Sequence, residues 1–190
     1  MGRWSSIIAG AVAGGALALT GCGVQPGSGP SAQVASASWP QCSASQMEVT
    51  AKSMGAALGH VGVLVTLRNT SSTSCRVAGY PGILLLNENG RALPTTVVRA
   101  VNGSYLIGKA VPHRVALPPG ASASFDLEYS DVPVGAQASE PPARACQTAT
   151  KTMVRLPNAA GHSVVAATMA PCGGRVLVSP VVPGTQWVRH

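Results

Sequence analysis

Along most of this chain, apolar and polar residues alternate one by one. In the stretch from His60 to Asn69, Val61, Val63, Val65 and Leu67 share one side, and Gly62, Leu64, Thr66 and Arg68 share the other. A period of two is that of a β-strand, whose successive side chains point to opposite faces. From Ser122 to Asp131, Phe125, Leu127 and Tyr129 alternate with Ser124, Asp126, Glu128 and Ser130, which predicts a strand with one dry and one wet face. Met47, Val49 and Ala51 repeat the pattern. The run from Arg175 to Val182 reads as a mostly buried strand, with Pro180 marking an edge or bulge because proline has no N–H for a ladder.

Turn residues separate these runs. Asn89-Gly90 predicts a hairpin between "GILLL" and "RALPTTVV". Pro118-Pro119-Gly120 precedes the Phe125 strand, and "PNAAGHS" joins "TMVRL" to "SVVAAT". Roughly eight or nine short strands at regular spacing predict an all-β, antiparallel sandwich. Only "SMGAALG" and the region from Ala143 to Lys151 read as short helices, and 15 prolines argue against long ones.

The opening of the chain departs from this pattern. Arg3 precedes an apolar run from Ile7 to Leu19, as in the helical core of a secretory signal. At ~1.5 Å per residue that run reaches roughly 20 Å, short of the ~30 Å hydrocarbon core of a bilayer. It ends in Leu19-Thr20-Gly21-Cys22, which resembles a bacterial lipobox. The resemblance implies cleavage before Cys22, a diacylglycerol on its thiol and a fatty acyl group on the new amino terminus. Gly23 to Gln41 is rich in Gly, Ser, Ala and Pro and reads as a flexible tether. The expected organisation is therefore a signal peptide over residues 1–21, a lipidated cysteine and linker over 22–41, and a β-sandwich over 42–190. The expected location is the extracytoplasmic face of the cell membrane.

Composition narrows the partners. The net charge is +7 at pH 7, one less once Arg3 leaves with the leader, and the basic residues are scattered as singletons. With aromatics at 4%, there is no basic, aromatic-interleaved platform for nucleic acid. A mild attraction to anionic lipid or acidic glycan is consistent with the charge.

Four cysteines follow Cys22: Cys42, Cys75, Cys146 and Cys172. An even number in an exported chain reads as two disulfides, which can be drawn three ways. Pairing within each half of the domain, Cys42 with Cys75 and Cys146 with Cys172, is preferred, each worth ~3–4 kcal/mol by loop closure. Metal ligation lacks a Cys-x-x-Cys pair.

The folded part resembles the domain of unknown function family "four-two-three-two", common in secreted and lipid-anchored actinobacterial proteins. The residues that carry the resemblance are Cys42; "VTLRNTSSTSCRVAGYPGILLLNENG" from Val65; "VALPPGASASFDLEY" from Val115; and Cys146, "VRLP" and Cys172. It implies an immunoglobulin-like sandwich and no activity. The same motifs have structural readings: Asn69 and the Ser/Thr run suit a turn whose side chains satisfy backbone donors, and Gly79 to Gly82 suit a bend packed by Tyr80.

Candidate chemistry is sparse. "GASAS" falls short of Gly-x-Ser-x-Gly and lies between strands. His60, His113, His162 and His190 have no metal-ligand spacing and read as surface or turn residues. Asp126 and Glu128 share a strand face, with Asp131 nearby. Same-face neighbours lie about 6.6–6.8 Å apart, a spacing that overlaps that of a glycosidase pair. Only Trp39 and Trp187 could line a sugar cleft beside them, so a solvated acidic face is expected, with a weak cation site second. No catalytic residue, cofactor or metal is assigned. The expected function is a non-catalytic binding or structural module held at the membrane through Cys22. Its partner would be an envelope protein, glycan or anionic lipid. A carrier of apolar envelope molecules is the alternative, and an enzyme of unrecognised type a more distant one.

Overall fold

The hairpin β1 (Met47–Ala57) and β2 (His60–Asn69) sets the first sheet. Its two-residue turn places Leu58 at φ 48° and Gly59 at φ 78°, the left-handed pair that matches strand twist. The structure, a computed structural model, describes residues 39–189. The expected signal helix, Cys22 and most of the tether lie outside the described residues.

"SMGAALG" is not helical. It completes β1, held in register by β2 from Met47 opposite Asn69 to Ala57 opposite His60. A bulge between Ser53 and Gly55, with Gly55 at φ 104°, absorbs the glycine that weakened the alternation there.

Eleven strands are described. After β2 come β3 (Cys75–Ala78), β4 (Gly82–Leu86), β5 (Thr96–Arg99), β6 (Arg114–Leu117) and β7 (Ser122–Ser130). A 3-10 turn at Gly135–Ser139 and a single α-helical turn, α1 (Pro142–Ala145), lead into β8 (Ala149–Arg155), β9 (Ser163–Met169), β10 (Arg175–Val178) and β11 (Val182–Pro183). The second expected helix thus shrinks to one turn, and its remainder enters β8.

The large sheet runs β1-β2-β7-β10-β5, with β11 also on β7. Against it pack a three-stranded sheet, β4-β8-β9, and a pair, β3-β6, to make a sandwich. One pairing breaks the antiparallel expectation: β5 lies parallel to β10. The Asn89-Gly90 turn does form, with Asn87 and Arg91 bonded across it, but its second arm leaves after Leu93 and crosses to the large sheet as β5. β4 pairs instead with β8. Pro180 ends β10: there the Asp126 N–H bonds the Ser179 hydroxyl at 2.8 Å, and the Ser179 N–H bonds the Asp126 carbonyl at 2.9 Å.

The core between the layers is continuous. Phe125, Leu127, Leu67 and Val65 of the large sheet meet Leu85, Val154, Leu117 and Val77 of the small ones. The inward positions are the ones the alternation assigned. Both disulfides pair as preferred, Cys42–Cys75 and Cys146–Cys172. Asn69 is fully buried and donates to the carbonyls of Thr73 and Leu117, each at 2.8 Å, while its oxygen accepts from the Ser71 N–H.

Candidate functional site

β7 brings two acids to the outer side of the large sheet, and this is where the structure departs furthest from expectation. Asp126 and Glu128 do point away from the core. They are nevertheless 0% and 1% exposed. The predicted wet face is covered by two segments whose alternation is weak: the loop from Ala100 to Lys109, and the tail from Gly184 to Arg189.

Glu128 is the hub of this cover. One carboxylate oxygen accepts the backbone N–H groups of Leu106 at 2.8 Å and Ile107 at 3.3 Å, together with the Ser104 hydroxyl. The other oxygen lies 2.9 Å from His60 Nδ1, across the strand pair. A carboxylate folded into consecutive backbone N–H groups occupies the place an anion takes in a loop nest. Ser104 closes the loop on itself, its N–H bonding the Ile107 carbonyl at 2.7 Å. Gly103 makes that closure possible at φ 81°, since a Cβ there would fall 2.8 Å from the Ile107 oxygen. His60 is not an isolated surface histidine: it is held by Glu128, stacks on Tyr105 with centroids 4.8 Å apart, and keeps 37% of its side chain exposed.

Asp126 holds the tail. It accepts the Val188 N–H at 2.7 Å, and its second oxygen has no partner among the described residues. Burial pushes its carboxyl up from 3.8 to about 7, opposed by the Val188 hydrogen bond. Ser124 on the same face donates to the Gln186 carbonyl at 3.0 Å. Loop and tail then bind each other: Trp187 Nε1 donates to the Leu106 carbonyl at 2.9 Å, and the Gly108 N–H to the Val188 carbonyl at 2.8 Å. The indole lies over Gly62, where a Cβ would come within 2.6 Å of the ring.

The chemistry follows from these partners. The Ser104 hydroxyl donates to the carboxylate and not to the imidazole, so no serine-to-histidine proton path is set up. Glu128 has both oxygens engaged, and Asp126 sits under the tail rather than across a cleft from it, so the two do not form a glycosidase pair. Asp131 lies outside this cluster, its N–H bonded to the Gly59 carbonyl. Among the described residues no group of three His, Cys, Asp or Glu side chains is placed to hold a metal ion. A shallow cleft of about 300 Å³ borders the cover, lined by Trp187, Arg189, Gly62 and the end of β1. The sequence signal for the cover is slight: a late tryptophan in a chain poor in aromatics, and Asn102-Gly103 in a stretch without alternation.

A disulfide-stapled β-sandwich with its outward acids sealed beneath loop and tail is the class of domain these features define. Residues 42–187 match the family described as Domain of unknown function (DUF4232), and the chain belongs to that family. No curated protein and no solved structure matches the chain.

Proposed function

We propose that the protein is an extracytoplasmic lipoprotein whose sandwich is a non-catalytic binding or structural module of the cell envelope. The observation that carries the proposal is the pairing of all four domain cysteines into disulfides, behind a leader ending in Leu19-Thr20-Gly21-Cys22. Such bonds persist outside the cytoplasm, where no glutathione pool keeps thiols reduced. Lipid on Cys22 holds the domain at the membrane, since each buried methylene adds ~0.8 kcal/mol and two chains anchor stably where one does not. Residues 23–41 then act as the tether.

The non-catalytic reading draws on the way Ser104, His60 and Glu128 spend their hydrogen bonds on one another and on the loop backbone. A carrier of apolar molecules would need a cavity between the sheets, and Phe125, Leu67, Leu117 and Leu127 fill that space. Recognition at a surface is therefore the favoured mode. The test is Cys22→Ser. The variant should leave the membrane fraction or retain its leader. Mature, membrane-bound Cys22→Ser protein would overturn the proposal.

A further inference from the structure

The outer face of β4-β8-β9 differs in kind from that of the large sheet. The β8 residues Lys151, Met153 and Arg155 point outward, while Thr152 and Val154 point in. Register places Leu84 of β4 and Val164 of β9 on either side of Met153. An apolar row, Leu84-Met153-Val164, thus crosses all three strands. One cation stands on each side of it, roughly 13 Å apart along the strand. Val164 is 50% exposed. A shallow groove of about 250 Å³ runs beside Leu84, Met153 and Arg155. β4, β8 and β9 contain no Asp or Glu.

No hydrogen bond or ion pair joins Lys151 or Arg155 to an acidic side chain among the described residues. Of the chain's six acidic residues, Asp126 and Glu128 are sealed under the loop and tail, and Glu48 lies 3.9 Å from Arg68. The nearest acid in sequence is Glu88, in the turn beyond β4.

The tether enters along β3, where the Arg76 N–H bonds the Pro40 carbonyl and the Cys42 N–H bonds the Arg76 carbonyl, each at 2.9 Å, and it also touches the segment that follows β8. Gln41 donates from its side chain to the Pro157 carbonyl at 2.8 Å, two residues past Arg155, and the Ala44 N–H bonds Ala160 in the β8–β9 turn. By its composition, a Gly/Ser/Pro-rich linker over residues 23–38 would have a root-mean-square reach of roughly 20–24 Å. An anchor on Cys22 therefore keeps a bilayer within reach of this face.

We propose that the outer face of β4-β8-β9 docks on an anionic lipid surface, with Lys151 and Arg155 at the headgroups and the Leu84-Met153-Val164 row against the interface. The proposal rests on the anchored reading above. A second copy of the chain is the weaker occupant, because face-to-face pairing would bring these cations together. An acidic protein partner would have only one apolar row to grip, far less than a stable interface needs.

Methionine footprinting on the full-length lipidated protein tests this. Met54, on β1 of the other sheet and 44% exposed, is the internal control. The protein is reconstituted in phosphatidylcholine vesicles with or without phosphatidylglycerol, salt-washed, and exposed to peroxide. Phosphatidylglycerol should protect Met153 and leave Met54 unchanged. The double variant Lys151→Gln/Arg155→Gln should lose that protection, because two surface cations bias docking by roughly 30-fold. Equal oxidation of Met153 on both vesicles overturns the docking. So does protection in detergent without lipid, which would indicate a second copy. Protection in intact cells but on neither vesicle would indicate a protein partner and equally overturns it. Loss of the wild-type protein from vesicles during the salt wash counts against the anchor instead, so the two failures are told apart.

Discussion

On the outside of the large sheet, two carboxylates point away from the core and are sealed beneath a loop and a tail. On the outside of the three-stranded sheet, two cations point away from the core and remain exposed. Both strands obey the same alternation. The difference arises from what the chain does after each strand is formed. The Ala100–Lys109 loop has donors that need an acceptor: the N–H groups of Leu106 and Ile107 and the Ser104 hydroxyl. A buried N–H without a partner costs free energy comparable to a lost hydrogen bond, and Glu128 removes that cost for the loop. Lys151 and Arg155 are donors only, and long side chains of this kind keep their heads in water. Period-two patterning therefore identifies the outward side of a strand without saying whether water or more protein lies there.

The contrast can be broken most severely at Glu128. Glu128→Ala leaves three loop donors without their acceptor and should cost about 3–5 kcal/mol. Denaturant unfolding measures the loss, and hydrogen exchange should locate it as faster exchange at Leu106 and Ile107. Unchanged exchange there would mean that the carboxylate does not hold the loop.

Asp126 offers the next largest effect. Its folded carboxyl titrates near 7, against 3.8 ordinarily, so the folded state holds the proton more tightly than the unfolded chain does. This group's contribution is complete below pH 3.8 and is lost as the pH rises through about 7, at most on the order of 4 kcal/mol. Melting temperature measured across that window should fall with rising pH in the wild type and lose part of that slope in Asp126→Asn. Identical slopes would show that Asp126 ionises freely.

Gly62→Ala tests the tail. The added Cβ meets the Trp187 ring at 2.6 Å, and the overpacking should cost about 1–3 kcal/mol and shift tryptophan emission as the indole is displaced. The smallest effect is expected on the bare face. Lys151→Gln and Arg155→Gln should each change stability by no more than about 0.5 kcal/mol, because both are exposed and neither side chain makes a hydrogen bond or ion pair among the described residues. A large loss there would mean that the cationic face is structural too.

Much of the fold was legible because its signals are local. Val63, Val65 and Leu67, and Phe125 and Leu127, face the core as their spacing required. Cys42 and Cys75 pair, as do Cys146 and Cys172, in keeping with their proximity along the chain. Asn69 closes its turn through side-chain bonds that need only its neighbours and one carbonyl of β6. Where the reading failed, the deciding partner was distant. "SMGAALG" has helical composition, yet β2 supplies a ladder that propensity does not register. The arm after Asn89-Gly90 left its hairpin because β10 offered a parallel partner to Thr96–Arg99.

By itself, then, the sequence determined the alternating strands with their inward faces and most of the turns, and favoured one of three cysteine pairings, because each depends on residue spacing or on short separations along the chain. Only the tertiary structure decided that Asp126 and Glu128 would lie in a dry interior and that Lys151 and Arg155 would stay in water. The reason is physical. Burial of an outward residue depends on which remote backbone groups must find a partner, and those groups come from a loop and a tail that carry no period of their own.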